Sequence, residues 1–188
     1  TSGAIKGSSQ PIITVNGGTF NLQSGMLRSG TNRAVYQGYS GGTVNLSGGY
    51  ICGFERSYNT GWLNQDEFGG AVYSASGTLN ISNDAVIAAN KAGCGGGIAV
   101  MGQNKLNISG GVISGNVALF NNASVDHAGG GGLVACAQTT VTMSDGYITN
   151  NTANGQCYLD GGGGIFIRDD CKFTIRGGYV TGNKAQGG

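Results

Sequence analysis

One pattern recurs six times along the chain: polar, apolar, polar, apolar, a short Ser/Gly turn, then a further aliphatic residue five positions on. The copies are Thr19-Phe20-Asn21-Leu22 leading to Leu27, Thr43-Val44-Asn45-Leu46 to Ile51, and Thr78-Leu79-Asn80-Ile81 to Val86. Lys105-Leu106-Asn107-Ile108 to Ile113, Thr140-Val141-Thr142-Met143 to Ile148, and Lys172-Phe173-Thr174-Ile175 to Val180 complete the series. Period-two alternation marks strands with one buried face. A third apolar strand precedes each copy: Ile12-Ile13, Ala34-Val35-Tyr36, Ala71-Val72-Tyr73, Ile98-Ala99-Val100, Leu133-Val134-Ala135 and Ile165-Phe166-Ile167. The unit is therefore three short strands.

Spacing within a copy is nearly constant, whereas spacing between copies is not: Phe20 to Val44 is 24 positions, and Val44 to Leu79 is 35. The variation falls in one connection, after the third strand. A coiled stack demands this, because strands must keep register while a loop at one corner can bulge. The expected fold is all-β, about six coils of three strands, a rod of roughly 30 Å at the spacing of stacked strands. Alternation points Phe20, Leu22, Val44 and Leu46 inward.

Composition fits this and excludes other classes. The 39 glycines lack a triplet period, and at 39% hydrophobic the chain is too apolar for a disordered linker. Gly48-Gly49, Gly110-Gly111 and Gly177-Gly178 fall at sharp turns where a positive φ is expected, and the runs 95–97, 130–132 and 161–164 lie where neighbouring coils pass closely. Only 10% of residues are charged and the net charge is +1, so no basic stripe exists to bind nucleic acid. No apolar run reaches the length of a membrane span. The five cysteines contain no C-x-x-C pair and there is one histidine, so no metal or cofactor is expected. Cys136 and Cys171 fall where neighbouring coils bring them together, a candidate disulfide. Low charge with abundant Asn, Ser, Thr and Gly suits a secreted protein.

The segments Gly95-Gly96-Gly97-Ile98, Leu106-Asn107-Ile108-Ser109-Gly110-Gly111 and Val112-Ile113-Ser114-Gly115-Asn116 resemble the right-handed parallel β-helix repeats of the pectate-lyase-like superfamily. The likeness is to glycine-rich coils in bacterial surface and adhesin proteins, and it runs from Ile12 to Ala185. It implies a single β-helix domain over 1–188, a segment of a larger extracellular protein. It carries little about function, since the superfamily holds lyases, hydrolases and adhesins alike.

The nine acidic residues lie mainly in loops and turns, and no catalytic constellation emerges, so the reading leans away from an enzyme. The largest insertion, 54–68, holds Tyr58, Trp62, Asp66 and Glu67, and its aromatic rings beside acids and amides suit sugar stacking. Trp62 folded down over the rod as a seal is the competing reading. Asp126-His127 is the sole acid–histidine pair and leaves the same corner. An asparagine recurs after the third strand, at Asn90, Asn116, Asn151 and Asn183, and stacked amides between coils account for it. The first strand is apolar on both faces, so Ile13, Val72, Val134 and Phe166 are expected to form an outer stripe that folded-over loops, a neighbouring domain or another copy must cover. The expected function is a structural or adhesive module of a cell-surface protein, self-associating through open ends or this stripe. A glycan-binding module is the alternative, and a polysaccharide lyase or hydrolase comes third.

Overall fold

The computed structural model describes residues 4–6, 9–56, 67–119, 129–154 and 161–186. These residues form an all-β fold of curled sheets in which neighbouring strands pair in parallel. The first sheet stacks the strand that opens each copy: β2 (Ile13–Val15), β5 (Val35–Gln37), β8 (Val72–Ser74), β12 (Ile98–Val100), β15 (Leu133–Ala135) and β18 (Ile165–Ile167). Its register aligns Ile13, Val35, Val72, Ile98, Leu133 and Ile165 in one column.

The second and third strands of the repeat build the largest sheet. Second strands are β3 (Thr19–Leu22), β6 (Thr43–Leu46), β9 (Thr78–Ile81) and β19 (Lys172–Ile175); third strands are β4 (Met26–Gly30), β7 (Tyr50–Phe54), β10 (Val86–Ala88) and β20 (Tyr179–Thr181). In copies four and five the two merge into single strands, β13 (Lys105–Ser114) and β16 (Thr140–Thr149), whose pairing shifts register around Ser109. A short strand, β1 (Ala4–Lys6), adds to the edge at β4. The turn glycines take the expected conformation, with φ of +76° at Gly49 and +84° at Gly178.

The columns Phe20-Val44-Leu79-Leu106-Val141-Phe173 and Leu22-Leu46-Ile81-Ile108-Met143-Ile175 point into one core, together with Leu27, Ile51, Ile87, Ile113 and Ile148. Each fully buried aliphatic side chain stabilises by about 1.5–3 kcal/mol. Repeating such columns layer upon layer supplies the cohesion. In the third copy the inward residue is Ile87 rather than Val86, because the turn holds one residue more, with Asn83 at φ +50°. Val86, expected inside, accordingly points outward, and Ala85 before it is buried.

A further sheet was not foreseen. After each ladder asparagine a two-residue strand forms: β11 (Lys91–Ala92), β14 (Val117–Ala118), β17 (Thr152–Ala153) and β21 (Lys184–Ala185) pair in sequence. Its backbone lies against the glycine runs. A Cβ on Gly96 would collide with the Val117 carbonyl, on Gly131 with that of Thr152, and on Gly163 with that of Lys184. Close backbone approach explains glycine here, as steric exclusion of any side chain.

Candidate functional site

Of the residues expected to bind a ligand, Tyr58, Trp62, Asp66, Asp126 and His127 lie outside the described residues. Glu67 is described and is buried, with its carbonyl accepting the Cys94 N–H at 3.2 Å. Among the described residues no group of three or more His, Cys, Asp or Glu side chains converges as a metal site. No helix among them is long and apolar enough to cross a membrane.

The outer apolar stripe exists but with a different membership. Ile13 and Val72 stand in the inward column and pack in the main core, so their assignment to the outer face is corrected. Each strand alternates, and the outward neighbours are Thr14, Tyr36, Tyr73, Ala99, Val134 and Phe166. Tyr73, Ala99 and Val134 join Phe68, Ala75, Cys94 and Cys136 in a second buried cluster, with Tyr36, Met101 and Phe166 packed against it. Phe68 and Cys94, from the segments entering the next copy, contribute to that covering. Most of this face is thus already occupied within the chain.

Cys136 and Cys171 are free thiols rather than a disulfide. Cys136 belongs to the outer cluster, whereas Cys171 packs against the main core and accepts the Thr139 N–H at 3.2 Å. The two side chains serve opposite faces of the wall. Burial pushes the Cys136 thiol up to about 12; Arg168 opposes this and Asp169 and Cys171 add to it. That thiol is inert as a nucleophile at neutral pH.

At the other end of the stripe the rings of Tyr36 and Tyr73 stack 5.6 Å apart and nearly parallel. The Arg33 guanidinium sits 4.6 Å from the Tyr73 centroid and 5.6 Å from that of Tyr36. Burial, then the neighbouring Tyr39, raises the Tyr73 hydroxyl above its ordinary range, while Arg33 pulls it down. A polar cavity of about 570 Å³ opens beside the stack, lined in part by Asn32, Arg33, Thr14 and Arg56. Arg33 is itself buried, so it acts as a clasp on the rings. The sequence signal was the shared register of the two tyrosines, one apolar strand apart.

The other notable site is a sheet edge. β18 and β21 end their sheets, and β19 and β20 pair only with β16. In this last layer the core columns are open: Ile175 is 55% and Val180 42% exposed, whereas Met143 and Ile148 one layer below are at 0%. The amide ladder ends here too. Asn90, Asn116 and Asn151 each donate one side-chain N–H to a carbonyl of the preceding copy (Ile51, Ile87, Ile113) and the other to Oδ1 of the next asparagine, at 2.9–3.0 Å. Each next Oδ1 also accepts the backbone N–H of the asparagine before it. Asn183 donates to Ile148 O at 2.8 Å, and among the described residues no further acceptor meets its second side-chain N–H.

Fold and site together define an all-β repeat protein of parallel sheets. No family model matches the chain, and neither does any curated protein or solved structure.

Proposed function

We propose that the chain is a right-handed parallel β-helix, a structural and adhesive module of an extracellular or cell-surface protein, which self-associates by adding a layer at the edge formed by 165–185. The observation that carries this reading is the exposure of Ile175 and Val180 in the 165–185 layer, in columns whose inner members are buried. An exposed apolar layer beside unpaired strand backbone favours addition of another strand layer. Asn183 narrows the occupant: its outward side-chain donor suits a layer that offers an acceptor in register, as a further turn of this kind of repeat would, from the same polypeptide or from a second copy. Low charge leaves little repulsion to oppose stacking of like on like.

Sedimentation over a concentration series tests it. The expected result is a mass that rises with concentration, and a double variant Ile175→Asp, Val180→Asp that stays monomeric with unchanged circular dichroism. A wild-type chain that remains a monomer at the highest concentration overturns the proposal.

A further inference from the structure

On the outward face of the third strands a groove of about 500 Å³ runs across four layers, away from both the open edge and the covered stripe. The register places Tyr50, Val86, Val112, Tyr147 and Tyr179 in one outward row. Tyr50 and Tyr147 are three layers apart, about 14 Å at the usual strand spacing. Between them the shorter Val86 and Val112 form an apolar floor. One bank is made of turns, with Asp84 and Asp145 both exposed there, Asp145 accepting the Gly146 N–H at 2.7 Å.

The tyrosine geometry orients this groove. Tyr147 and Tyr179 stack with centroids 5.1 Å apart and planes within 11°. That separation is close to the layer spacing, so the ring normals lie largely along the stacking direction. One face of Tyr147 is covered by Tyr179; its other face looks over Val112 into the groove. Tyr147 is 47% exposed and Tyr50 51%. An aromatic face over an apolar floor, with carboxylate acceptors along one bank, matches a pyranose: its C–H face stacks and its hydroxyls donate to the acids. We propose that this groove binds a neutral, hydroxyl-rich sugar chain of a few residues, lying along the stack between Tyr50 and Tyr147. The two carboxylates disfavour uronate or sialylated chains by like-charge repulsion. A cationic peptide would satisfy the acids, but the two aromatic posts stand too far apart to cage one cation. This site does not depend on the association at the open edge.

The full chain is applied to an array of neutral and acidic oligosaccharides, with octalysine as a competitor, and hits are followed by titration calorimetry. The expected result is binding to neutral chains only, weakened at least tenfold by Tyr147→Ala and unchanged by Tyr39→Ala, an exposed tyrosine elsewhere. Val112→Tyr fills the floor by continuing the tyrosine row, keeps the fold and is expected to abolish binding. Binding only to acidic sugars, binding only to octalysine, retention in both groove variants, or no sugar bound at all overturns the proposal.

Discussion

The side-chain amide of Asn116 donates to Oδ1 of Asn151, thirty-five positions later, at 3.0 Å, with both residues fully buried. The same Asn116 accepts from the backbone and side chain of Asn90 through its own Oδ1, at 3.0 and 2.9 Å. One side chain thereby ties three layers and satisfies the Ile87 carbonyl besides.

Truncating it strands several buried polar groups at once. Each orphaned buried donor or acceptor costs about 1–3 kcal/mol. Asn116→Ala is therefore expected to lower unfolding free energy by roughly 3 kcal/mol or more, the low end of several such losses together. Asn183→Ala also removes bonds to Asn151 and Ile148, but at the half-buried end where water reaches the groups left behind, so it should cost about 1–2 kcal/mol, less than Asn116→Ala. Urea titration of both variants checks the ranking, and equal costs would contradict the layered arrangement.

Glycine is required by close approach at some positions and by nothing at others. Gly96→Ala would drive a methyl into the Val117 backbone, while a Cβ on Gly18 meets no atom within 4 Å and Gly18 has no positive φ. Gly96→Ala is expected to lose more than about 3 kcal/mol or fail to fold, in the upper range of overpacking costs. Gly18→Ala should be within about 0.5 kcal/mol of wild type. Thermal melts of the pair decide it.

The raised Cys136 thiol has a consequence for pH. Its folded value, about 12, stands above the ordinary 9.0, so the protonated form is favoured by folding. The contribution is complete below pH 9 and is lost as pH climbs through the folded value. Stability should fall across that window by up to ~1.4 kcal/mol per pH unit from this group. Tyr73, raised chiefly by burial, steepens the decline above its ordinary 10.0. Cys136→Ala should flatten the portion that begins near pH 9, and iodoacetamide at pH 8 should leave Cys136 unmodified until denaturant is added. A wild-type stability independent of pH from 9 to 12 would refute this.

Arg33 clasps the stacked pair Tyr36 and Tyr73 from a buried position. A desolvated guanidinium over aromatic faces contributes about 2 kcal/mol. Arg33→Ala should lose at least that much, and Arg33→Lys should recover only part, since an ammonium cannot lie flat on a ring. Chemical denaturation of the two variants, with tyrosine fluorescence as the probe, measures the difference.

The core columns were readable because Phe20-Asn21-Leu22 and its counterparts alternate, and alternation assigns inside and outside without coordinates. Reading failed where alternation stops. Ile12-Ile13 and Ala71-Val72-Tyr73 are apolar at successive positions, and a one-residue slip exchanges the two faces; Ile13 and Val72 were turned outward for that reason. The third copy misled because its turn carries one extra residue at Asn83-Asp84, a change invisible to a rule based on equal spacing. The asparagine row was legible as a ladder, but Val117-Ala118 and its equivalents offer only two residues each, too few to show a strand period. The groove between Tyr50 and Tyr147 depends on which layers carry small residues, and that emerges only once the register is known.

The amide ladder also has a direction. In their amide-to-amide bonds Asn90, Asn116 and Asn151 donate toward the C-terminal layers, while Asn45, Asn80 and Asn107 on the outer face donate the opposite way. Two identical ends set face to face would bring N–H against N–H at Asn183 and leave both unsatisfied. A donor surface is satisfied only by one that offers acceptors, so this edge cannot close a twofold pair with its own kind, and whatever extends the column meets it with the opposite polarity.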